Sequence, residues 1–146
     1  MSPGELDPAI IRRHLLALDQ ALQILRRHQG RGIDILRTDR EERWLVERGL
    51  QLCVQNVLDI ATHIAASAGR DVPDYATAID QLAELDVISG EFATAFRAIA
   101  GFRNVVVHDY LDVDVVIVHR LLNERLGDFE EFGRMVSRYL DSRPKP

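Results

Sequence analysis

The residues best suited to chemistry lie together in one stretch, Gly101-Phe102-Arg103-Asn104-Val105-Val106-Val107-His108-Asp109-Tyr110. A guanidinium, an amide, an imidazole, a carboxylate and a phenol fall between Arg103 and Tyr110, and the Val105–Val107 run ties them to the fold. Such a set fits metal-free cleavage of RNA, in which the 2′-OH attacks the adjacent phosphate. That reaction needs a base near neutral pKa, a cation for the phosphorane charge, and a proton for the leaving oxygen. His108 suits the proton transfers. Arg103 suits the charge stabilisation. One histidine does not readily serve as base and acid in a single step. A symmetric dimer eases that difficulty by bringing two copies of the pair into one cleft.

Spacing constrains how these groups meet. At 100° per residue, Asn104 and His108 lie about 40° apart on a helix and share a face. Arg103 and Tyr110 are about 20° apart, two turns along. Arg103 and His108 are about 140° apart. They converge if the helix breaks between them, if the arginine folds round, or if a second chain contributes. Three consecutive β-branched valines make a poor helix segment, so a break has a physical basis. A plainer account has Arg103 and His108 capping carbonyls at a helix end, with Tyr110 half-buried. Spacing alone leaves both accounts standing.

Other candidate sites are weaker. His108, Asp109, Asp112 and Asp114 contain one histidine only, and Asp112 and Asp114 already suit a helix start. Cys53 sits among apolar residues, where a buried inert thiol is expected. His14, His119 and Tyr139 read as packing or surface residues. On the second helix Arg48, Asn56, Asp59 and His63 form a mostly polar stripe, and Asp59 and His63 are spaced to pair.

The elements that must position the stretch are helical throughout, with no sustained period-2 alternation. Helix one is expected from Pro8 to about His28, capped by Asp7, with Ile11, Leu15, Leu18, Leu22 and Leu25 inward. Arg26, Arg27, His28 and Arg31 gather at its C-terminal end. Helix two is expected from Asp39 to about Ala68, opened by a Thr38–Glu41 capping box. Its length of roughly 45 Å implies a bend, placed near Gly49. A short helix spans about Tyr75 to Leu85. Ser89 caps a fourth, with Phe92, Phe96 and Ile99 inward, and the key stretch continues from Gly101, where something packs close. The last helix, capped by Asp112, runs to about Leu140. The fold expected is all-α, a compact antiparallel bundle of about five helices in one domain over 1–146, with a polar tail from about residue 142.

Composition narrows the function. The apolar fraction of 47% supplies a core, and the net charge of −5 argues against a DNA-coating protein while leaving room for RNA at a local patch. No apolar run approaches a membrane span, no secretory signal opens the chain, and the single cysteine excludes an internal disulfide. A cytoplasmic location is expected.

The string Arg103-x4-His108-x-Tyr110, with Asn104 beside the arginine, resembles the R-x4-H-x-Y motif of the HepT toxins in the HEPN superfamily. The likeness extends through Trp44–Gln51, Leu58–Ile64 and Tyr75–Ser89, and so covers about residues 8–140. It implies a metal-independent endoribonuclease, the toxin of a toxin–antitoxin pair. It implies a homodimer with Arg103 and His108 catalytic at a composite cleft and Asn104 in support. It also implies a cognate MntA-type nucleotidyltransferase that transfers AMP from ATP to Tyr110, a bulky charged block where substrate phosphate must sit. No cofactor of the chain's own is implied. The competing reading is a non-catalytic HEPN-type binding partner of a nucleotidyltransferase. Such a partner has less need of both Arg103 and His108.

Overall fold

In a computed structural model the chain is described over residues 5–108 and 114–144, with the backbone alone over 104–108. The described residues form eight helical segments: α1 (Pro8–Arg26), α2 (Ile33–Thr38), α3 (Arg40–Ser67), α4 (Tyr75–Glu84), α5 (Gly90–Phe96), α6 (Ile99–His108), α7 (Val115–Glu124) and α8 (Leu126–Ser142). The all-α bundle is as expected, and the larger number of segments has identifiable causes. A one-and-a-half-turn helix, α2, fills the connection after α1. The fourth expected helix divides at Arg97–Ala98, where Ala100 and Gly101 donate back only three residues, to Arg97 and Ala98. The last divides at Arg125, which has φ −119° and ψ 0°. Its apolar spacing runs unbroken through Leu122, Leu126 and Phe129, all buried, so periodicity carries no sign of the break.

The frame is the antiparallel pair α1 and α3. Four contacts step along the seam. His28 Nδ1 donates to Glu42 at 2.8 Å, Leu25 packs on Gly49, His14 Nδ1 donates to Asn56 Oδ1 at 2.8 Å, and the Asp7 amide donates to His63 Nε2 at 3.3 Å. Arg31 joins the first of these, 2.9 Å from the same Glu42 oxygen, and Arg26 pairs with Glu130 of α8. The cations at the end of α1 therefore tie helices together rather than only satisfying carbonyls.

Helix α3 runs 28 residues without interruption through Gly49. A Cβ there would lie 2.6 Å from Leu25 Cδ2 and 2.9 Å from its Cγ, and Leu25 is fully buried. The two helices approach across a position with room for hydrogen only. The expected capping box is also displaced by one residue. Asp39, not Thr38, caps α3, accepting from the Glu42 amide at 3.1 Å, while Thr38 Oγ1 donates to the Asp34 carbonyl.

The inner faces of α3, α4, α7 and α8 close the core around Leu50, Val57, Ile64, Ile79, Phe129 and Phe132. Phe96 of α5 stacks on Phe132 at 5.4 Å and meets Phe129 edge-on at 5.9 Å. Ile99 and Phe102 continue that burial and seat α6. Gly101, expected to admit a close neighbour, is exposed, and a Cβ there would meet nothing within 4 Å. Asp114 caps α7 through the Val116 amide at 2.9 Å; Asp112, the expected cap, lies outside the described residues.

Candidate active site

The site is built on α6. Its backbone is helical from Ile99 to His108, so the Val105–Val107 run does not break it. Arg103, Asn104 and His108 thus sit on one continuous helix, and the Arg103 and His108 positions remain about 140° apart around its axis. Of the three routes to convergence, a helix break is removed. The side chains of Asn104 and His108 are not among those described, and Tyr110 lies outside the described residues, as do Asp109 and Asp112.

Arg103 is placed by two other helices. Its Nε donates to Gln55 Oε1 of α3 at 3.2 Å. Its guanidinium carbon stands 4.9 Å from the centroid of the Tyr75 ring. Gln55 is held in turn, its Nε2 donating to Asp59 Oδ1 at 2.8 Å. Tyr75 is the first residue of α4, whose start is fixed by Asp74 accepting from the Thr77 amide at 2.7 Å. Hydrogen bonds to Thr77, backbone first, hold the Asp74 carboxyl below the usual aspartate range. Arg103 thus belongs to a three-helix corner and is not a cation trailing off a helix end.

The polar stripe of α3 divides in two. Asn56 and His63 turn toward α1, engaged by His14 and by the Asp7 amide. Asp59 turns the other way, through Gln55 toward Arg103. The expected Asp59–His63 pairing is replaced by these separate partners. Gln55 and Tyr75 carry little mark of this role in the sequence. The one signal for Gln55 is its spacing of four from Asp59, and for Tyr75 its place directly after a capping aspartate.

The remaining candidates are structural in this fold. Cys53 is fully buried on α3, and burial pushes its thiol up to about 12. His119 Nε2 donates to the Arg31 carbonyl at 3.0 Å, pinning the α1–α2 connection to α7. The Tyr139 hydroxyl accepts from Arg143. Asp114 is occupied as a cap, and among the described residues no three His, Cys, Asp or Glu side chains gather as a metal site. Among the same residues no helix is long and apolar enough to cross a membrane.

Comparison with known proteins places the chain in a family. The model of the family described as ribonuclease HepT-like matches residues 18–136, which includes α3, α4 and all of α6. The chain belongs to the HepT-like ribonuclease family. A tRNA nuclease HepT of Aphanizomenon flos-aquae is 26% identical over 137 residues, covering 92% of each chain. An mRNA nuclease HepT of Shewanella oneidensis is 31% identical over 84 residues, covering 57% of this chain and 63% of that one. Among solved structures, the tri-AMPylated HEPN toxin of Shewanella oneidensis in complex with an MNT antitoxin superposes with a TM-score of 0.77 at 25% identity. That match covers 88% of this chain and 97% of the toxin. A cytosolic protein of Bacillus subtilis, at 18% identity and a TM-score of 0.83, shares the fold.

Proposed function

We propose that the chain is the toxin of a toxin–antitoxin pair, an endoribonuclease that cuts RNA without a metal ion at a cleft between two copies. The observation that carries this reading is the placement of Arg103. It is held by side chains from two other helices and shares an unbroken helix with His108, in a chain of a ribonuclease family. Within one chain α6 turns the two positions apart. A two-fold axis beside α6 brings two Arg103 and two His108 together.

In that cleft one His108 takes the proton of the RNA 2′-OH. The oxygen attacks the adjacent phosphorus, Arg103 stabilises the charge on the non-bridging oxygens, and the second His108 protonates the departing 5′-oxygen. The products are a 2′,3′-cyclic phosphate end and a 5′-hydroxyl end. Asn104, one turn before His108, supports the imidazole. No metal or cofactor enters these steps.

Control falls to Tyr110. Its phenol oxygen attacks the α-phosphate of ATP on a cognate MntA-type nucleotidyltransferase, pyrophosphate leaves, and AMP remains on the tyrosine. The added phosphate stands two residues from His108 and repels the RNA backbone. The tri-AMPylated state of the similar Shewanella oneidensis toxin, in complex with an MNT antitoxin, supports control by AMPylation. The protein acts in the cytoplasm, on RNA and not DNA.

The test is cleavage of a mixed RNA pool by the purified protein in excess chelator, with His108→Ala and Arg103→Ala as parallel samples. Cleavage by the wild-type protein alone, leaving cyclic-phosphate ends, is expected. Intact RNA in every sample, with the antitoxin still bound, would instead favour a non-catalytic binding partner. Tyr110→Phe should keep cleaving and should take up no AMP from the partner enzyme.

A further inference from the structure

The corner at Arg103 contains more order than an exposed cation needs. Gln55 lies between two groups whose hydrogen-bonding roles are fixed by their chemistry. The Asp59 carboxylate only accepts, so it faces the Gln55 NH2 group at 2.8 Å. A guanidinium only donates, so the other end of the amide, its oxygen, faces Arg103 Nε at 3.2 Å. The amide orientation, usually ambiguous, is set from both sides. Asp59 thereby fixes which end of Gln55 the arginine meets.

The Tyr75 ring supplies the second constraint. A guanidinium over an aromatic face at 4.9 Å is attracted by the ring quadrupole, which limits its tilt. Contacts at Nε and on the guanidinium face restrict the last torsions of the arginine, so α3 and α4 as well as α6 hold the group. Arginine has large rotamer freedom, so ordering it before substrate arrives removes a cost from the reaction itself.

The supports are themselves anchored. Gln55 is flanked by Val54 and Leu58, which are buried in the core on the inner side of α3. Tyr75 starts a helix whose Ala78, Ile79 and Leu82 are fully buried. The partners of the guanidinium are therefore carried by packed helices.

We propose that Gln55 is a positioning residue for Arg103, oriented by Asp59 and seconded by the Tyr75 ring, and that this triad presets the guanidinium for the RNA phosphate. The inference rests on the reading of Arg103 as the phosphate-directed cation, and its test separates the two. Purified Gln55→Ala, Gln55→Leu, Arg103→Ala and the double variant Gln55→Ala/Arg103→Ala are compared for kcat and KM on one RNA. The Arg103 Nε–H signal is followed by 15N NMR without RNA.

With the fold retained, Gln55→Ala and Gln55→Leu should lower kcat on the order of 10- to 100-fold, the scale expected of a misplaced catalytic group, with KM little changed. The Arg103 Nε–H should shift and exchange faster in both. Adding Gln55→Ala to Arg103→Ala should cost nothing further, because Gln55 acts through the arginine. Wild-type kcat in the Gln55 variants, with Arg103→Ala inactive, overturns the positioning role and leaves the site intact. A further loss in the double variant, or an unchanged Nε–H signal, also overturns it. Full cleavage by Arg103→Ala overturns the reading of the site, and the positioning role falls with it.

Discussion

A cleft shared between two chains, as proposed above, predicts a quantitative outcome when active and inactive chains are mixed. The perturbation is His108→Ala on α6. Let wild-type and variant chains exchange freely at fixed total concentration, with x the wild-type fraction. Dimers then form in the ratio x² to 2x(1−x) to (1−x)². If cleavage needs one His108 as base and the other as acid, only pure wild-type dimers retain full activity, and the rate follows x². At equal amounts it falls to about a quarter of the wild-type rate. If each chain carries a complete site, the rate follows x and falls only to about half.

The assay is the initial rate on a fluorogenic RNA oligonucleotide, after co-refolding the two forms across a series of ratios. Curvature following x² is expected because α6 is unbroken between Ile99 and His108 and keeps the Arg103 and His108 positions about 140° apart. A straight line through the same points would refute the shared cleft. Arginine then reaches round its own helix, and the second copy has no part in the chemistry.

Three further outcomes check the scaffold. Gly49→Val should destabilise the protein by about 1–3 kcal/mol through overpacking against Leu25, lowering Tm by several degrees in calorimetry, and Leu25→Ala in the same chain should recover part of the loss. Asp39→Ala should cost about 1 kcal/mol in denaturant unfolding and Thr38→Ala clearly less, since Asp39 is the residue that caps α3. Cys53 is expected to resist alkylation at pH 8 until the protein unfolds, its thiol being held protonated by burial up to about 12. The raised value means that the folded state keeps a proton the unfolded chain gives up near 9. Stability should therefore fall as pH rises from about 9 toward 12, and Cys53→Ala should flatten that part of the profile.

Much of the scaffold was legible because burial and helical period act on the same residues. Ile11, Leu18, Leu22 and Leu25 were placed inward by spacing alone, and all four are buried. The Asp7 and Ser89 caps were legible for a similar reason, since short polar side chains satisfy helix starts through local bonds. What failed was set by distant partners. Gly49 carries no local mark of a close approach; Leu25, far off in sequence, makes it. The break at Arg125 hides inside a continuous apolar pattern. Arg103 and His108 were legible as chemistry, because few other stretches combine such groups. The support for Arg103 was not, because Gln55 and Tyr75 are ordinary residues until α3, α4 and α6 meet.

That difference bears on how the corner works. A chemical group is visible in sequence because its type is rare and its spacing constrained. Its orientation is a property of helices that meet only in the folded chain. Arg103 takes its position from α6, its lateral contact from α3 and its support from α4, and each of those helices is anchored on its inner face by residues such as Phe102, Leu58 and Ile79. The guanidinium therefore inherits its order from the packing of the core. A change that shifts α3 against α6 by a fraction of an ångström should disturb Arg103 before it unfolds the bundle, because hydrogen-bond geometry is lost over shorter distances than apolar contact.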